Sequence, residues 1–357
     1  MPIKVFDFFS GCGGTSAGLE AAGMEISMGL DIDADAAASF LHNFPQAHFL
    51  QKDLTKVRAN ALKPFVPEQR SSPILFCGCA PCQPFSKQNG QRKKKDRRVP
   101  LLSHFGRFVR YFRPEFVLVE NVPGLQQFNL GTGPLPDFIR MLKSLGYQFA
   151  VGTLDCCDYG VPQKRSRFVL LASAIGPIEI PPKTHGPGAP NERFSTVGEW
   201  INDLPPLEAG EECTSIPNHR AANLSTENLK RINATPPGGG RLDWPKNLVL
   251  KCHSNGHIGH TDVYGRLRVD QPASALTTRC ISLSNGRFGH PSQDRAISVR
   301  EAACLQTFPR SFVFHGSLTS MARQVGNAVP ALLAHRLGEA FVRCATINYP
   351  RHSRGVI

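Results

Sequence analysis

A thiol in the turn formed by residues 79–86 is the part of this sequence best suited to chemistry. The segment reads Cys-Ala-Pro-Cys-Gln-Pro-Phe-Ser and follows the apolar run Pro73-Ile-Leu-Phe76. We therefore expect Cys82 just beyond the carboxyl end of a buried strand, where open α/β sheets build their active sites. A cysteine there is either an activated nucleophile or a small core residue, and the turn alone does not decide between them.

A carboxyl group and two guanidinium groups accompany other apolar runs. Glu120 follows Phe116-Val-Leu-Val, which predicts a strand ending at the same sheet edge as Cys82, although most glutamates at strand ends are simply solvated. A thiol and a carboxyl at one edge suit addition to an electron-poor ring, since the thiolate adds and the acid protonates a ring nitrogen. Arg165 and Arg167 alternate, so we expect them on one strand face, either as a solvated basic edge or in contact with a ring carbonyl, the acid or DNA phosphate.

A glycine-rich turn and two acids indicate a cofactor. The segment Asp7-Phe-Phe-Ser-Gly-Cys-Gly-Gly14 predicts a strand, a tight turn and a helix start, without the dinucleotide fingerprint or a phosphate-binding P-loop. Asp31 lies 20 residues after Gly11, the position of a carboxylate that binds a ribose diol, and Asp53 could accept from an adenine amine. Each acid could instead be a solvated loop residue or a helix cap. Taken in strand order, the three sites favour an adenosine ligand without a pyrophosphate, which S-adenosylmethionine fits.

Strands alternate with helices through the first half of the chain. We expect strands at 3–9, 26–30, 74–77, 116–119 and 168–172, and helices at 15–22, 34–43, 101–112 and 137–145. This alternation predicts an α/β fold with a Rossmann-like, mostly parallel sheet covered on both faces.

The character of the sequence changes after about residue 175. Residues 176–300 are rich in Pro, Gly, Asn and His, with turn signals at 236–240 and 284–286. A helical pattern resumes at 299 with a capped start, and 328–344 predict a long apolar helix. We therefore predict one domain from 1–180 plus 299–357 and a smaller, irregular domain at 181–298.

Composition limits the possible surroundings and partners. The 357 residues are 41% hydrophobic and 19% charged, as in globular proteins, with no long apolar run and no signal-peptide pattern at the N-terminus. Eleven cysteines are too few for a disulfide scaffold, so we expect reduced thiols, a cytosolic setting and no membrane contact. The net charge of +13 favours nucleic acid as a partner, although solubility alone would also explain it. Residues 92–98, beside the thiol turn, hold six basic residues and one acid.

In order along the chain, these segments resemble the DNA (cytosine-5) methyltransferases of the single-chain bacterial type. The matching stretches are Asp7-Phe-Phe-Ser-Gly-Cys-Gly-Gly, Asp31-Ile-Asp, Lys52-Asp-Leu, Gly78-Cys-Ala-Pro-Cys-Gln-Pro-Phe-Ser, Glu120-Asn-Val, Gln163-Lys-Arg-Ser-Arg, Arg300-Glu-Ala-Ala-Cys-Leu-Gln-Thr-Phe-Pro and Gln324-Val-Gly-Asn-Ala-Val-Pro. They run from residue 7 to residue 330, which is nearly the whole chain, and each is moderately specific while the ordered set is highly specific.

The resemblance implies a role for each matching residue. Cys82 would attack C6 of cytosine, Glu120 would protonate or hydrogen-bond N3, and Arg167 would hold the O2 side, with Arg165 as a further catalytic residue. Phe9 would stack on the adenine of S-adenosylmethionine, Asp31 would bind its ribose and Asp53 its amine. The remaining positions that would line the cofactor site are Gly11, Gly13, Gly14, Ile32, Leu54, Pro81, Leu101, Asn327 and Ala328. The target base would have to leave the duplex.

One segment departs from the family pattern. Arg98-Val-Pro-Leu101 stands where the family often carries Arg-Gly-Thr-Leu, which weakens the prediction for Leu101. The basic run at 92–98 is also unusual, and we interpret it as a loop that closes over the DNA backbone. In that case, neutralising Lys93, Lys94 and Lys95 would flatten the salt dependence of DNA binding.

Three alternatives remain open from the sequence. Cys77, Cys79 and Cys82 have a spacing close to that of zinc or iron–sulfur ligands, but no fourth ligand stands at the usual distance, and we expect no metal. A second loose cluster comprises Cys252, His253, His257 and His260. An RNA-directed relative would use the same cysteine chemistry with a shorter target region, and a catalytically silent DNA-binding module would not need Cys82, Glu120 and Arg167.

The sequence leaves the biological setting of the protein less defined than its chemistry. We expect a monomer acting on double-stranded DNA in the bacterial cytoplasm at the nucleoid, either as the modification half of a restriction–modification system with a separately encoded endonuclease or as an orphan enzyme. Residues 181–298 would read bases in the major groove. Candidate readers, to which no base can be assigned, are His257, His260, Tyr264, Arg266, Arg279, Asn285 and Arg287.

Overall fold

The main element of the structure is a seven-stranded sheet. The computed structural model describes residues 2–79, 101–123, 133–253 and 261–349. The sheet strands are β1 (Lys4–Phe8), β2 (Glu25–Asp31), β3 (His48–Gln51), β4 (Ile74–Gly78), β5 (Phe116–Asn121), β6 (Gln148–Asp155) and β8 (Ser166–Ser173). Their order is β3-β2-β1-β4-β5-β8-β6. The first five in that order pair in parallel, and β8 runs antiparallel to β5. The predicted α/β fold with a mostly parallel sheet is confirmed.

Nine α-helices lie within the described ranges. They are α1 (Gly14–Ala21), α2 (Ala34–Asn43), α3 (Leu101–Phe112), α4 (Pro134–Ser144), α5 (Val197–Ile201), α6 (Thr226–Asn233), α7 (Val299–Leu305), α8 (Leu318–Asn327) and α9 (Ala331–Asn348). The predicted bounds of α2 and α3 are confirmed to the residue, and the capped start of α7 is confirmed by a reciprocal Ser298–Glu301 capping box. None of these helices combines the length and the apolar character that crossing a membrane requires.

Phenylalanine rings fill the core beside the first strands. Phe8 of β1 lies 5.0 Å from Phe76 of β4, 5.2 Å from Phe105 and 5.1 Å from Phe108, measured between ring centroids. Both α3 residues therefore pack on the sheet from one helix face, as the apolar spacing of that helix requires. A Cβ at Gly78 would lie 2.6 Å from the Phe105 ring, so the last residue of β4 must be small for α3 to pack there.

The chain divides into two compact units by its internal contacts. The first unit comprises 1–154, 166–182 and 334–357, and the second comprises 155–165 and 183–333. This division differs from the predicted domain boundaries at 155–165 and 299–333, which belong to the second unit. The assignment of a catalytic and a target-recognition role to particular boundaries stays a prediction.

The second unit has little regular sheet within its described residues. It contains β7 (Gln163–Lys164) paired in parallel with β11 (Ala273–Ser274), and β9 (Glu212–Cys213) paired in antiparallel with β10 (His219–Arg220). Short pairings of this kind leave many backbone carbonyl groups without a strand partner. Buried arginines supply much of the missing hydrogen bonding, as described below.

Candidate active site at the carboxyl edge of the sheet

The turn after β1 is held in place by a carboxylate at the end of β2. Oδ2 of Asp31 accepts a hydrogen bond of 2.8 Å from the backbone N–H of Gly11, whose φ is +52°. Oδ1 of Asp31 accepts from the backbone N–H groups of Ile32 at 2.7 Å and Asp33 at 3.0 Å. Each carboxylate oxygen has two lone pairs, so Oδ1 is fully used while Oδ2 can still accept a hydrogen bond from one ligand hydroxyl.

The same turn requires glycine where it approaches α2. A Cβ on Gly13 would lie 2.5 Å from the ring of Phe44, and the φ of Gly13 is +99°. Gly14 begins α1, and Phe9 stands before the turn with φ +61°. The left-handed φ of a bulky residue such as Phe9 is uncommon and marks the turn as locally strained.

Asp53 stands two residues beyond the end of β3. Its Oδ1 accepts from the backbone N–H of Thr55 at 2.9 Å and from the Thr55 hydroxyl at 2.7 Å, and these hydrogen bonds lower the pKa of the carboxyl. The carboxylate therefore stays ionised at neutral pH. Its Oδ2 has no hydrogen-bond partner in the part of the chain that the structure describes, so it can accept from a ligand.

Apolar side chains near these acids differ in exposure. Ile32, directly after Asp31, is 65% exposed, which is unusual for a large aliphatic residue at a strand end. Leu54 and Leu101 are buried, and Leu101 is the first residue of α3.

Two further residues predicted to line the cofactor site, Asn327 and Ala328, are the end and the C-cap of α8 and belong to the second unit.

Two buried polar atoms on the β1 side of this edge have no hydrogen-bond partner among the residues that the structure describes. Asp7 is fully buried, and its Oδ2 accepts a hydrogen bond of 2.7 Å from the Ser16 hydroxyl. Within the described residues, neither Oδ1 of Asp7 nor the hydroxyl of buried Ser10 has a hydrogen-bond partner. The sequence alone assigns neither residue a separate role, although both belong to the glycine-rich segment 7–14. Unsatisfied buried polar atoms cost stability, so their presence indicates a ligand site.

A buried ion pair joins β5 and β8 at the same edge. Arg167 Nε lies 2.6 Å from Glu120 Oε1, and the two side chains are 12% and 9% exposed. Glu120 is paired across the strands with Val169, so Arg167 is its diagonal neighbour on the same face. The antiparallel direction of β8 brings the beginning of that strand beside the end of β5, which places the cation on the acid.

A thiol also lies close to this acid. Cys79, the residue after β4, has its Sγ 3.5 Å from the Thr15 hydroxyl, and its pKa is raised well above the ordinary value by burial, by Glu120 and by Asp7. It is therefore a neutral, half-buried thiol. The predicted buried strand before the thiol turn is confirmed as β4, whereas Pro81, Cys82 and the basic run 92–98 lie outside the described residues.

Arg165 does not share a strand face with Arg167, so that prediction was wrong. Arg165 lies between β7 and β8 and is not part of a strand. Its guanidinium donates to the carbonyls of Leu276 at 2.9 Å, Gly326 at 3.2 Å and Ala328 at 3.3 Å, within the second unit. The alternation of arginines was read as continuous strand, but a short break places Arg165 among backbone acceptors instead.

Gln163 is the centre of a second buried hydrogen-bond network in that unit. This network was not predicted from the sequence. Its amide donates to Gln306 Oε1 at 2.9 Å and to the Leu305 carbonyl at 3.3 Å, while its Oε1 accepts from Leu276 N–H at 2.8 Å. Two of the matching sequence segments are thereby linked by side-chain amides. A polar residue inside a basic segment gives no sequence signal of such burial.

Two of the arginines predicted to read DNA bases instead donate hydrogen bonds to backbone carbonyls inside the second unit. Arg266 is 4% exposed and donates to the carbonyls of Thr235, His290, Gln293 and Ile232 and to Asp294. The interpretation of Arg266 as a base reader was therefore wrong, because no donor remains for a base. Arg287 donates to the carbonyls of Gly238 and Gly239 at 2.6 and 2.7 Å. Arg279 is exposed, and within the described residues no partner of its guanidinium is seen. His257 and His260 lie outside the described residues.

No group of three potential metal-ligating side chains is found within the four described ranges. Cys77 is fully buried in β4. Because Cys82, His257 and His260 are not described, both cysteine clusters proposed from the sequence stay untested as metal sites.

Comparison with known proteins places the chain in a family. Residues 3–343 match the family model of C-5 cytosine-specific DNA methylases. The chain is 38% identical to the Type II methylase M.HgiDII of Herpetosiphon aurantiacus over 95% of each protein. It is 34% identical to the Type II methyltransferase M1.HphI of Haemophilus parahaemolyticus, over 97% of this chain and 88% of the relative.

A solved structure shares the fold. The crystal structure of a protein described as a prophage-encoded DNA modification methyltransferase of Escherichia coli superimposes with a TM-score of 0.75, over 96% of this chain and 99% of that one, at 23% identity. The shared sheet agrees with a methyltransferase architecture, and the family match extends over nearly the whole chain. The chain thus belongs to the C-5 cytosine-specific DNA methylases and is a DNA (cytosine-5-)-methyltransferase.

Proposed function

We propose that the protein transfers the methyl group of S-adenosylmethionine to C5 of a cytosine within a specific sequence of double-stranded DNA, using the residues at the carboxyl edge. The observation that carries this assignment is the buried Glu120–Arg167 ion pair on β5 and β8. It stands next to β4, the strand that leads into Cys82. A carboxyl group and a guanidinium on one strand face can bind adjacent polar atoms of a pyrimidine ring.

The chemistry follows from the placement of these groups. Cys82 adds through sulfur to C6, and the displaced electron pair makes C5 a nucleophile, while Glu120 protonates or hydrogen-bonds N3 and Arg167 holds the O2 side. The cofactor, when bound, supplies an electrophilic methyl group. Loss of the C5 proton to solvent and departure of the Cys82 sulfur restore the aromatic ring. Because the thiol follows a sheet edge, the cytosine must leave the duplex to meet it.

Polar groups at the strand ends support S-adenosylmethionine as the cofactor. Asp31 Oδ2 can accept from a ribose hydroxyl and Asp53 Oδ2 can accept from the adenine amine, with the exposed Ile32 side chain against the ring. The unpartnered Asp7 Oδ1 and Ser10 hydroxyl fit a ligand that carries positive and polar groups. The other predicted cofactor residues stay proposals: Phe9, Gly11, Gly13, Gly14, Leu54, Pro81, Leu101, Asn327 and Ala328.

The DNA partner and the cellular role are proposed on the charge of the chain and on its relatives. A net charge of +13 favours a polyanion, and the second unit carries exposed Arg279, so we assign base reading to residues 181–298. Type II methylases among the relatives support a role as the modification half of a restriction–modification system with a separate endonuclease. We propose that the enzyme acts as a monomer at the nucleoid, in the bacterial cytoplasm.

Methyl transfer to duplex DNA, located by bisulfite sequencing, tests this proposal. Wild-type protein is expected to methylate one cytosine in one short sequence, whereas Cys82→Ser and Glu120→Gln should each lose at least about 100-fold in rate. Cys213→Ser, a thiol of the second unit, is the matched control and should keep wild-type activity. Full activity of Cys82→Ser, or methylation of RNA in place of DNA, would overturn the proposal.

A further inference from the structure

The order of the strands gives each part of the proposed cofactor a place along the sheet edge. Asp53 follows β3, Asp31 ends β2, Asp7 stands near the end of β1, Cys79 follows β4 and Glu120 lies in β5. A ligand with its adenine at Asp53 and its transferable methyl group near the base held by Glu120 must cross the end of β1. The charged sulfur of such a ligand therefore falls in the neighbourhood of Asp7.

The environment of Asp7 makes its carboxyl sensitive to an added positive charge. The side chain is fully buried, Oδ2 accepts from Ser16, and Oδ1 has no partner within the described residues. Burial raises the pKa of Asp7 to about 7, the Ser16 hydrogen bond lowers it, and the charge of Asp31 raises it further. The acid is thus divided between its protonated and ionised forms at neutral pH, unlike an ordinary aspartate.

The titratable groups that surround Asp7 in the described part of the chain provide no compensating cation. They come from each neighbouring element: Asp31 at the end of β2, Cys12 in the turn to α1, Cys77 in β4 and Cys79 after it. All four are acids or thiols, and among the described residues none of the groups that shift the pKa of Asp7 is basic. The methyl donor and its product both carry an α-ammonium group, so the sulfonium is the positive charge by which the donor differs from its product.

We propose that Asp7 senses the charge of the ligand, losing its proton when the sulfonium cofactor binds and keeping it when the neutral thioether product binds. This inference rests on the proposed function, since it takes S-adenosylmethionine as the methyl donor. The proton passes to the buffer, and the carboxylate that remains balances the positive sulfur. After methyl transfer the sulfur is neutral, the carboxylate takes up a proton again, and the preference for the substrate over the product is lost.

Linkage between proton release and binding gives the expected pH dependence. An ionised Asp7 favours the sulfonium ligand, so the ratio of the product Kd to the S-adenosylmethionine Kd should rise with pH. Release of up to one proton changes that ratio by at most about tenfold per pH unit, and the rise should lie below about pH 7 and level off above it. A ratio independent of pH between 6 and 8 would contradict the proposal.

Calorimetric titration of the full chain measures the proton directly. Binding enthalpies of S-adenosylmethionine and S-adenosylhomocysteine are recorded at pH 7 in phosphate and in Tris, whose ionisation enthalpies differ. The sulfonium ligand should release about half a proton more than the product does. Equal release for both ligands would overturn the role of Asp7 and leave the proposed function standing. Failure to bind either ligand would overturn both.

Two variants test whether the proton released on ligand binding comes from the Asp7 carboxyl. Asp7→Asn should abolish the difference between the ligands. Ser16→Ala removes the hydrogen bond that favours the ionised form, so the pH of maximal release should move upward even if Asp7→Asn does not fold. Glu25→Gln, a carboxyl in an exposed pair with Lys4, is the matched control and should release protons as the wild type does. An unchanged pH profile in Ser16→Ala would contradict the assignment.

Discussion

At the carboxyl edge of the main sheet, Asp7 keeps one carboxylate oxygen without a partner among the described residues, whereas in the second compact unit Arg266 donates to four backbone carbonyls and a carboxylate. The parallel strands satisfy their own backbone groups, so polar side chains at their ends remain available to a ligand. The second unit lacks such strands, and its irregular backbone depends on side-chain donors. Arginine suits that task because it offers five N–H groups in a rigid fork.

The same pattern recurs at other buried arginines of the second unit. Arg300 donates to the carbonyls of Pro217, Pro309 and Phe312. Arg295 holds both oxygens of buried Glu301 at 2.7 Å and also donates to the Leu207 carbonyl. A positive residue in this unit is therefore a structural donor unless its side chain is exposed, as it is for Arg279.

The strongest test of this contrast removes a structural arginine. Arg295→Gln leaves the buried Glu301 carboxylate without its charged partner, and we expect the free energy of unfolding to fall by about 3–5 kcal/mol. The pKa of Glu301 is held low in the native state, because the hydrogen bonds and charge of Arg295 outweigh burial. Urea unfolding at pH 7 measures the loss.

The control for that variant is an exposed arginine in the same unit. Arg268 pairs with Asp270 on the surface, so Arg268→Ala should change the free energy of unfolding by less than about 1 kcal/mol. Comparable losses in the two variants would remove the distinction between structural and exposed arginines.

Removing a charge at the carboxyl edge should raise the free energy of unfolding, whereas removing Arg295 lowers it. The folded-state pKa of Asp7 is raised to about 7, so this carboxyl binds more protons in the native than in the unfolded state from about pH 4 to 7, and its contribution to stability falls across that window as pH rises. Asp7→Asn removes this fall and should raise the stability of the cofactor-free protein at pH 8 by about 2 kcal/mol. Urea unfolding at pH 5 and pH 8 tests it, and a variant less stable than wild type at pH 8 would contradict the expected gain.

A smaller effect is expected at an exposed arginine, where a substitution should change the affinity for DNA without changing the free energy of unfolding. Arg279→Ala is expected to weaken binding to cognate duplex DNA by about 1–2 kcal/mol while leaving unfolding unchanged, since its guanidinium is exposed. Fluorescence anisotropy with cognate and scrambled duplexes measures the affinity. Arg268→Ala again serves as the control, and a loss of stability without a loss of affinity in Arg279→Ala would place this arginine with the structural group.

The smallest expected effect lies at the adenine end of the cofactor site. Thr55→Val removes the hydroxyl that donates to Asp53, and we expect S-adenosylmethionine to bind about 1 kcal/mol more weakly. The backbone N–H of Thr55 still donates, which limits the loss. Equilibrium binding by calorimetry tests it, with an increase in affinity as the contradicting result.

The sequence predicted those helices and strands in which the spacing of apolar residues matches the buried face. The helices at 34–43 and 101–112 have apolar residues at helical spacing, and their bounds were correct. Strand β6 (Gln148–Asp155) was missed because its apolar residues neither form a long run nor alternate strictly with polar ones, and most of its side chains are exposed or half-buried. Helix α8 (Leu318–Asn327) was missed because Ser, Thr, Arg and Gln dilute its apolar face.

Part of the candidate site could also be predicted from apolar runs in the sequence, because these runs mark where strands end. Strand-end acids such as Asp31 and Glu120 follow apolar runs, so topology brings them to one edge. The burial of Arg266 and the unpartnered oxygen of Asp7 depend on contacts distant in sequence, and neither residue type signals its surroundings. Charge in the sequence indicates a partner without indicating whether that partner is DNA, a ligand or the protein's own backbone.

The reversed direction of β8 also sets how this sheet tolerates change. Because the pairs Phe168–Asn121 and Val169–Glu120 fix the register of β8 on β5, the face on which the Arg167 guanidinium lies depends on the spacing between Arg167 and Val169. Inserting a single residue there would turn the guanidinium to the opposite face of the sheet, away from Glu120. Short insertions or deletions at this one point should therefore be selected against far more strongly than substitutions of the neighbouring Ser166.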